Sequence, residues 1–291
     1  MGKKDDWPKK ENSQQEEYDE IINKIEKIIE NPEEIELFIK ERLLELKKNN
    51  NPVEISTLSK QWYSGFIHPD SIIRRSFMVE PFRVNDDLVY QDLFSIMKEF
   101  KNSTVRKNKT LKEMMPSVVN HTIVKYFGNF ISYSDTEQKN QDFYLNHDNP
   151  NLPNVSLSEL KGKGIAVCAE KSALAENLTS FLGLESYLVV SNSCKANPDD
   201  KNGLHAYNIW KTKNGYFIFD PTNPHLNFEK DTNKVLNYYP SVYPISEENF
   251  NAIKNGGLVN VKHEDMISDS DGNFFEKKTS ERIYGGPKIN K

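Results

Sequence analysis

Of the two cysteines in this 291-residue chain, Cys168 stands where a glycine-containing loop turns into an apolar-striped segment, KGKGIAVCAEKSALAENLTSFLGL (161–184). Ala173, Leu174, Leu178, Phe181 and Leu182 recur at helical spacing, and Gly183 sits where a helix would stop. That pattern predicts a helix with Cys168 in or just before its first turn. A thiol in that position faces the positive end of the helix dipole and unpaired N–H groups, which favour the nucleophilic thiolate. The same N–H groups can hold the oxyanion formed when a thiolate attacks a carbonyl. The competing reading is a buried thiol that only fills space, and the helix alone does not separate the two.

A cysteine nucleophile needs a base within hydrogen-bond reach, and the base needs a partner that fixes its tautomer and orientation. Two later segments supply these types. GLHAYNIW (203–210) reads as a strand carrying His205 near its start, and YFIFDPT (216–222) reads as a strand carrying Asp220 and stopped by Pro221. LESYLVVS (184–191) is a further strand ahead of them, with Cys194 in the loop that follows. Cys168, His205 and Asp220 are the candidate nucleophile, base and orienter. A redox partnership between Cys168 and Cys194 competes with an ordinary loop thiol at Cys194.

Strand parity places His205, Tyr207 and Ile209 on one face, and Tyr216, Ile218 and Asp220 on another shared face. A tight turn at Asn214–Gly215 would set Asp220 opposite Ile209, about 13 Å from His205 at about 3.3 Å per residue. Direct contact between His205 and Asp220 therefore predicts a different turn. The two candidates are a turn centred on Thr212–Lys213 and a longer loop that uses Gly215 as a bulge.

The motifs CAEKSALAENLTSFLGL, LHAYNIW and FIFDPTNP, in the order Cys, His, Asp, resemble the transglutaminase-like superfamily of papain-fold thiol enzymes over about residues 110 to 225. The resemblance implies an α+β fold, with a papain-like, transglutaminase-like core in which the nucleophile helix packs on an antiparallel sheet. It implies Cys168 as nucleophile, His205 as base and Asp220 as its orienter. It further implies acyl transfer on peptide or glutamine-like amides through a thioester, hydrolysed by water as in a peptidase or deamidase, or passed to an amine as in a transglutaminase. Hydrolysis is the favoured outcome because no second-substrate motif is visible. One departure is Ala166, where many relatives have glycine two residues before the cysteine. Asn120, Tyr133, Gln138 and Gln141 are equal candidates for the upstream polar residue of the oxyanion site. The reading from another class is an inactive fold of this type that serves as a protein-interaction module.

Other elements must position this site. Residues 1–15 are polar and expected to be disordered. Ile21, Ile22, Ile25, Ile28 and Ile29, then a break at Asn31-Pro32, then Ile35, Phe38, Ile39, Leu43, Leu44 and Leu46, predict a helical hairpin over 16–50, a packing element or a partner or self-association surface. KKNNNP (47–52) marks a boundary, after which 53–291 form the catalytic domain. Helices are expected from about Asp86 to Phe100 and from Leu111 to Phe127, and Tyr133 to Pro153 reads as a long loop. In 53–84, His68 and Arg74-Arg75 read as structural. The stretch 226–291 adds strand-like pieces and names no chemistry.

Composition sets the outer bounds. Hydrophobic residues make up 36%, charged residues 28% and the net charge is -5, with no clustered basic face that would point to nucleic acid. No apolar run is long enough to span a bilayer, and the N-terminus has neither a secretory apolar core nor a myristoylation pattern, so a cytoplasmic location is expected. The expected partner is a protein or peptide substrate, with no membrane. Two cysteines form no disulfide framework. No cofactor and no metal is expected, and Asp199-Asp200 lacks the spacing of a calcium loop.

Overall fold

Long runs of β-branched and aromatic residues between residues 184 and 245 favour extended backbone, and neighbouring runs joined by short polar turns pair antiparallel. The result is a mixed α+β molecule whose centre is a five-stranded antiparallel sheet with one buried helix laid across it. The structure, a computed structural model, describes residues 11–49, 62–63, 72–74, 88–103, 109–128, 134–145, 154–195, 203–228, 235–262 and 281–286. His68, Tyr133, Asp199 and Asp200 lie outside the described residues, as do most of 1–15 and 53–84.

The helices are α1 (Glu11–Ile28), α2 (Pro32–Asn49), α3 (Leu88–Asn102), α4 (Leu111–Phe127), α5 (Ser134–Leu145), α6 (Cys168–Phe181) and α7 (Glu247–Lys254). The strands are β1 (Trp62–Tyr63), β2 (Ile72–Arg74), β3 (Asn154–Ser156), β4 (Glu185–Cys194), β5 (Gly203–Thr212), β6 (Gly215–Phe228), β7 (Val235–Ile245), β8 (Leu258–Lys262) and β9 (Glu281–Gly285). The main sheet has the order β1-β4-β5-β6-β7, while β2-β3 and β8-β9 form separate pairs. Among the described residues no helix is long and apolar enough to cross a membrane.

Sheet parity divides the interior into two cores. Ala206 and Trp210 of β5 and Phe219 of β6 pack with α6 and the helices behind it. Tyr207, Ile209 and Ile218 point into a second core with Phe250, Val259 and Tyr284 from α7, β8 and β9. The helical hairpin joins the first core: Phe38 meets Phe94 and Phe181 edge to face, at 5.9 and 6.0 Å between ring centroids. Arg42 donates to Phe181 O (2.9 Å) and Ser180 O (3.2 Å) and pairs with Glu17 and Glu45, so α2 closes the carbonyl end of α6. Gly183 follows that end at φ +74°, where a Cβ would lie 2.8 Å from Ile21 Cδ1 of α1.

Four expectations need correction. Part of the loop expected over Tyr133–Pro153 is helix α5, because Asx- and Gln-rich sequence hides a helix whose few buried side chains include Thr136 and Asn140. Pro221 does not end β6; the ladder to β7 shifts register between Asp220 and His225, and the strand resumes to Phe228. A proline that cannot donate to the ladder is tolerated at such an irregularity. Cys194 ends β4 as a buried strand residue rather than sitting in a loop. The fourth correction is the β5–β6 register, which belongs to the site.

Candidate active site

Cys168 opens α6, and the loop before it is held from several sides. Gly162 and Gly164, both at φ +68°, donate their N–H groups to Tyr126 O and Phe127 O at the end of α4, each at 2.8 Å. Asn140 of α5 donates to Ile165 O at 3.0 Å. Glu170 reaches back one turn to accept the Val167 N–H at 3.0 Å, the N3 half of a capping box, and also accepts from Asn140 at 3.3 Å. The polypeptide on either side of the thiol is thus tied to α4 and α5.

Helix α6 is buried on its polar face as well as its apolar one. Ser172 donates to Ala206 O (2.9 Å), the residue next to His205, and Asn208 donates to Ser172 O (3.1 Å) and Glu176 (3.2 Å). Ser186 of β4 donates to the same Glu176 carboxylate at 2.6 Å. These bonds fix the rotation and height of α6 on the sheet, because every slip would strand a buried polar group.

The β5–β6 turn is Lys213–Asn214, closed by Thr212 opposite Gly215, and the ladder runs through Ile209–Ile218 to Asn208–Phe219. Neither expected turn forms. One further step along the ladder puts Asp220 opposite Tyr207, two residues or about 7 Å along the strand from His205. Imidazole and carboxylate span this diagonal: His205 Nε2 lies 2.9 Å from Asp220 Oδ2. The contact expected from the triad is present, in a register that neither proposed turn described.

Asp220 is fully buried and well supplied with donors. Oδ1 accepts the Thr222 N–H at 3.0 Å, and Oδ2 accepts the Tyr284 hydroxyl at 2.9 Å as well as His205. Burial alone would raise its pKa, but the charge and hydrogen bond of His205 and the charge of Arg282 outweigh it and hold the carboxyl well below the usual carboxylate range. For His205, burial opposes the charged form, yet Asp220 and then Cys168, by hydrogen bonding and charge, hold the imidazole well above its ordinary value. With Nε2 engaged by Asp220, Nδ1 is the nitrogen left to serve Cys168.

Lys171, one turn into α6 and fully buried, is an unexpected member. Burial pulls its ammonium down to about 8, against the charges of Asp220, Cys168 and Glu170, which raise it. It falls on the apolar stripe at three and seven residues before Leu174 and Leu178, so its burial was legible from spacing. Glu170 at the N3 position was equally legible. Arg282 and Tyr284 were not, because β9 reaches Asp220 only through tertiary structure.

Of the four oxyanion candidates, Asn120 is fully buried in α4, with neither amide atom hydrogen-bonded. Gln138 bonds Asp142 at 2.8 Å on an exposed surface, Gln141 is exposed and Tyr133 is outside the described residues. Cys194 is buried and bonded to Gly285, whose N–H lies 3.2 Å from its Sγ. Burial pushes that thiol up, with the charge of His205 acting the other way. Compared with known proteins, the chain matches no family model, and no curated protein matches it.

Proposed function

We propose that the protein is a thiol-dependent acyl-transfer enzyme with a papain-like, transglutaminase-like core, in which Cys168 is the nucleophile, His205 the base and Asp220 its orienter. The observation that carries this reading is the buried 2.9 Å contact between His205 Nε2 and Asp220 Oδ2, with the same imidazole interacting with Cys168 at the start of α6. A buried ionised carboxylate keeps the imidazole charged and turned, which is the condition for a thiolate–imidazolium pair.

The Cys168 thiolate adds to an amide carbonyl carbon, and the oxygen gains negative charge at the first-turn N–H groups of α6. The C–N bond then breaks as His205 gives its proton to the departing amine, leaving a thioester on Cys168. Water attacks the thioester, His205 takes a proton from it, and the acid product leaves with the thiol restored. The substrate class is a peptide or glutamine-like amide.

The test is alkylation by iodoacetamide across pH, located by mass spectrometry. Cys168 in the full chain is expected to react at least tenfold faster than free cysteine near pH 6, a difference of about 1.4 kcal/mol in barrier, and to lose that excess in His205→Ala. Free cysteine is the proper reference, because the buried Cys194 would be slow in any case. A Cys168 rate that follows an ordinary thiol titration would overturn the enzyme reading and favour a binding protein.

A further inference from the structure

The last described strand brings side chains from 64 residues away to the carboxylate that orients the base. Strand β9 is anchored at several points. Ile283 exchanges backbone hydrogen bonds with Lys195 at 2.7 and 2.9 Å, and the Tyr207 hydroxyl donates to Gly285 O at 2.9 Å. Gly286 donates to Gly257 O at 3.0 Å, and a Cβ there would fall 1.6 Å from Ile253 O, so the strand end is packed backbone to backbone. Arg282 is fixed from β7 by Ser241, at 2.5 Å.

This anchoring determines where the Tyr284 hydroxyl points. It donates to Oδ2 of Asp220, the same oxygen that holds His205, while the Thr222 N–H takes Oδ1. We propose that Tyr284 is a positioning residue of the thiol site: its phenol divides the charge of Asp220 Oδ2 with His205 and pins the carboxylate plane, so that the base is oriented only when β9 is docked. The proposal rests on the reading of Cys168, His205 and Asp220 as one site, and extends that site to Tyr284, carried by β9.

The charge argument has a definite sign. Two donors on one carboxylate oxygen share its negative charge, so removal of the phenol leaves more of it for the imidazolium and raises the proton affinity of His205. The other titratable and charged groups facing this pair are Cys168 and Lys171 from α6, Cys194 from β4, Tyr207 from β5, Tyr243 from β7 and Arg282 from β9. Of these, Arg282 also meets the Tyr284 hydroxyl, and replacing that hydroxyl removes this contact while the guanidinium charge beside Asp220 stays in place.

The experiment is a titration of His205 by nitrogen NMR in the full chain labelled at histidine, with the signal assigned by its loss in His205→Gln. Tyr284→Phe keeps the ring and is expected to move the His205 midpoint up by about half a pH unit or more, the size of one charge-assisted bond partly replaced. Site-directed 3-fluorotyrosine at position 284, a stronger donor in an intact fold, should move it down. Tyr207→Phe removes one anchor of β9, the bond to Gly285 O. It keeps the Ile283–Lys195 and Gly286–Gly257 bonds that hold the strand and both donors on Oδ2, so the midpoint should stay. A midpoint unmoved by both changes at 284, or moved equally by Tyr207→Phe, would overturn the proposal. Iodoacetamide labelling of the same samples separates the two readings: ordinary Cys168 reactivity with a shifted His205 midpoint defeats the enzyme, whereas enhanced reactivity with no shift defeats the role of Tyr284.

Discussion

Lys171 shows how one residue can set stability against chemistry. A lysine whose pKa falls from 10.5 to about 8 on folding is penalised below pH 8, and the penalty fades as pH rises toward 10.5. His205 has the opposite sign: its pKa is raised, so its stabilisation is complete below about pH 6.5 and is lost as pH climbs through the folded value. Lys171→Met should therefore gain about 1–3 kcal/mol in urea unfolding at pH 7, with the gain shrinking above pH 8. The same change removes a cation beside Cys168 and Asp220, so iodoacetamide labelling of Cys168 at neutral pH should slow several-fold. A variant that loses stability at pH 7 would show that its ammonium is fully compensated by its anionic neighbours.

At the scale of elements, α6 is held at both ends by different means. Its first turn is held by Glu170 and Asn140, and its last turn by Arg42, whose side chain is 5% exposed. Arg42→Ala leaves two buried carbonyls and Glu17 without this donor, and should cost about 2–4 kcal/mol in urea unfolding. Cys168 lies 13 positions before Phe181, at the other end of α6, so its labelling rate in the folded variant should be unchanged. A labelling rate that falls with stability would mean that the hairpin sets the position of the nucleophile as well as the strength of the fold.

For the whole molecule, the boundary signal at KKNNNP does not separate two cores. Tyr18, Ile22, Ile25, Phe38, Ile39 and Leu43 belong to one buried cluster with Phe94, Leu178 and Phe181. Deleting residues 1–52 should expose that surface. We expect the shortened chain to lose its cooperative urea transition and to bind a hydrophobic dye, where a self-sufficient catalytic domain would unfold in a single sharp step.

What the sequence alone determined is local. The helix from Cys168, its glycine stop, the strands bearing His205 and Asp220 and the faces they share all follow from periodicities that neighbouring residues impose on one another. The buried Lys171 and the capping Glu170 were within reach of the same reasoning. The turn was not, since Thr212-Lys213, Lys213-Asn214 and Asn214-Gly215 differ by single residues, and packing of Tyr207, Ile209 and Ile218 into the second core accompanies the register that formed. Tertiary structure alone decided that Arg42 closes α6 and that Tyr284 meets Asp220, because no local rule links residues 139 or 64 positions apart. Such contacts arise when whole faces are buried together, and there the polar groups that come within reach must find partners.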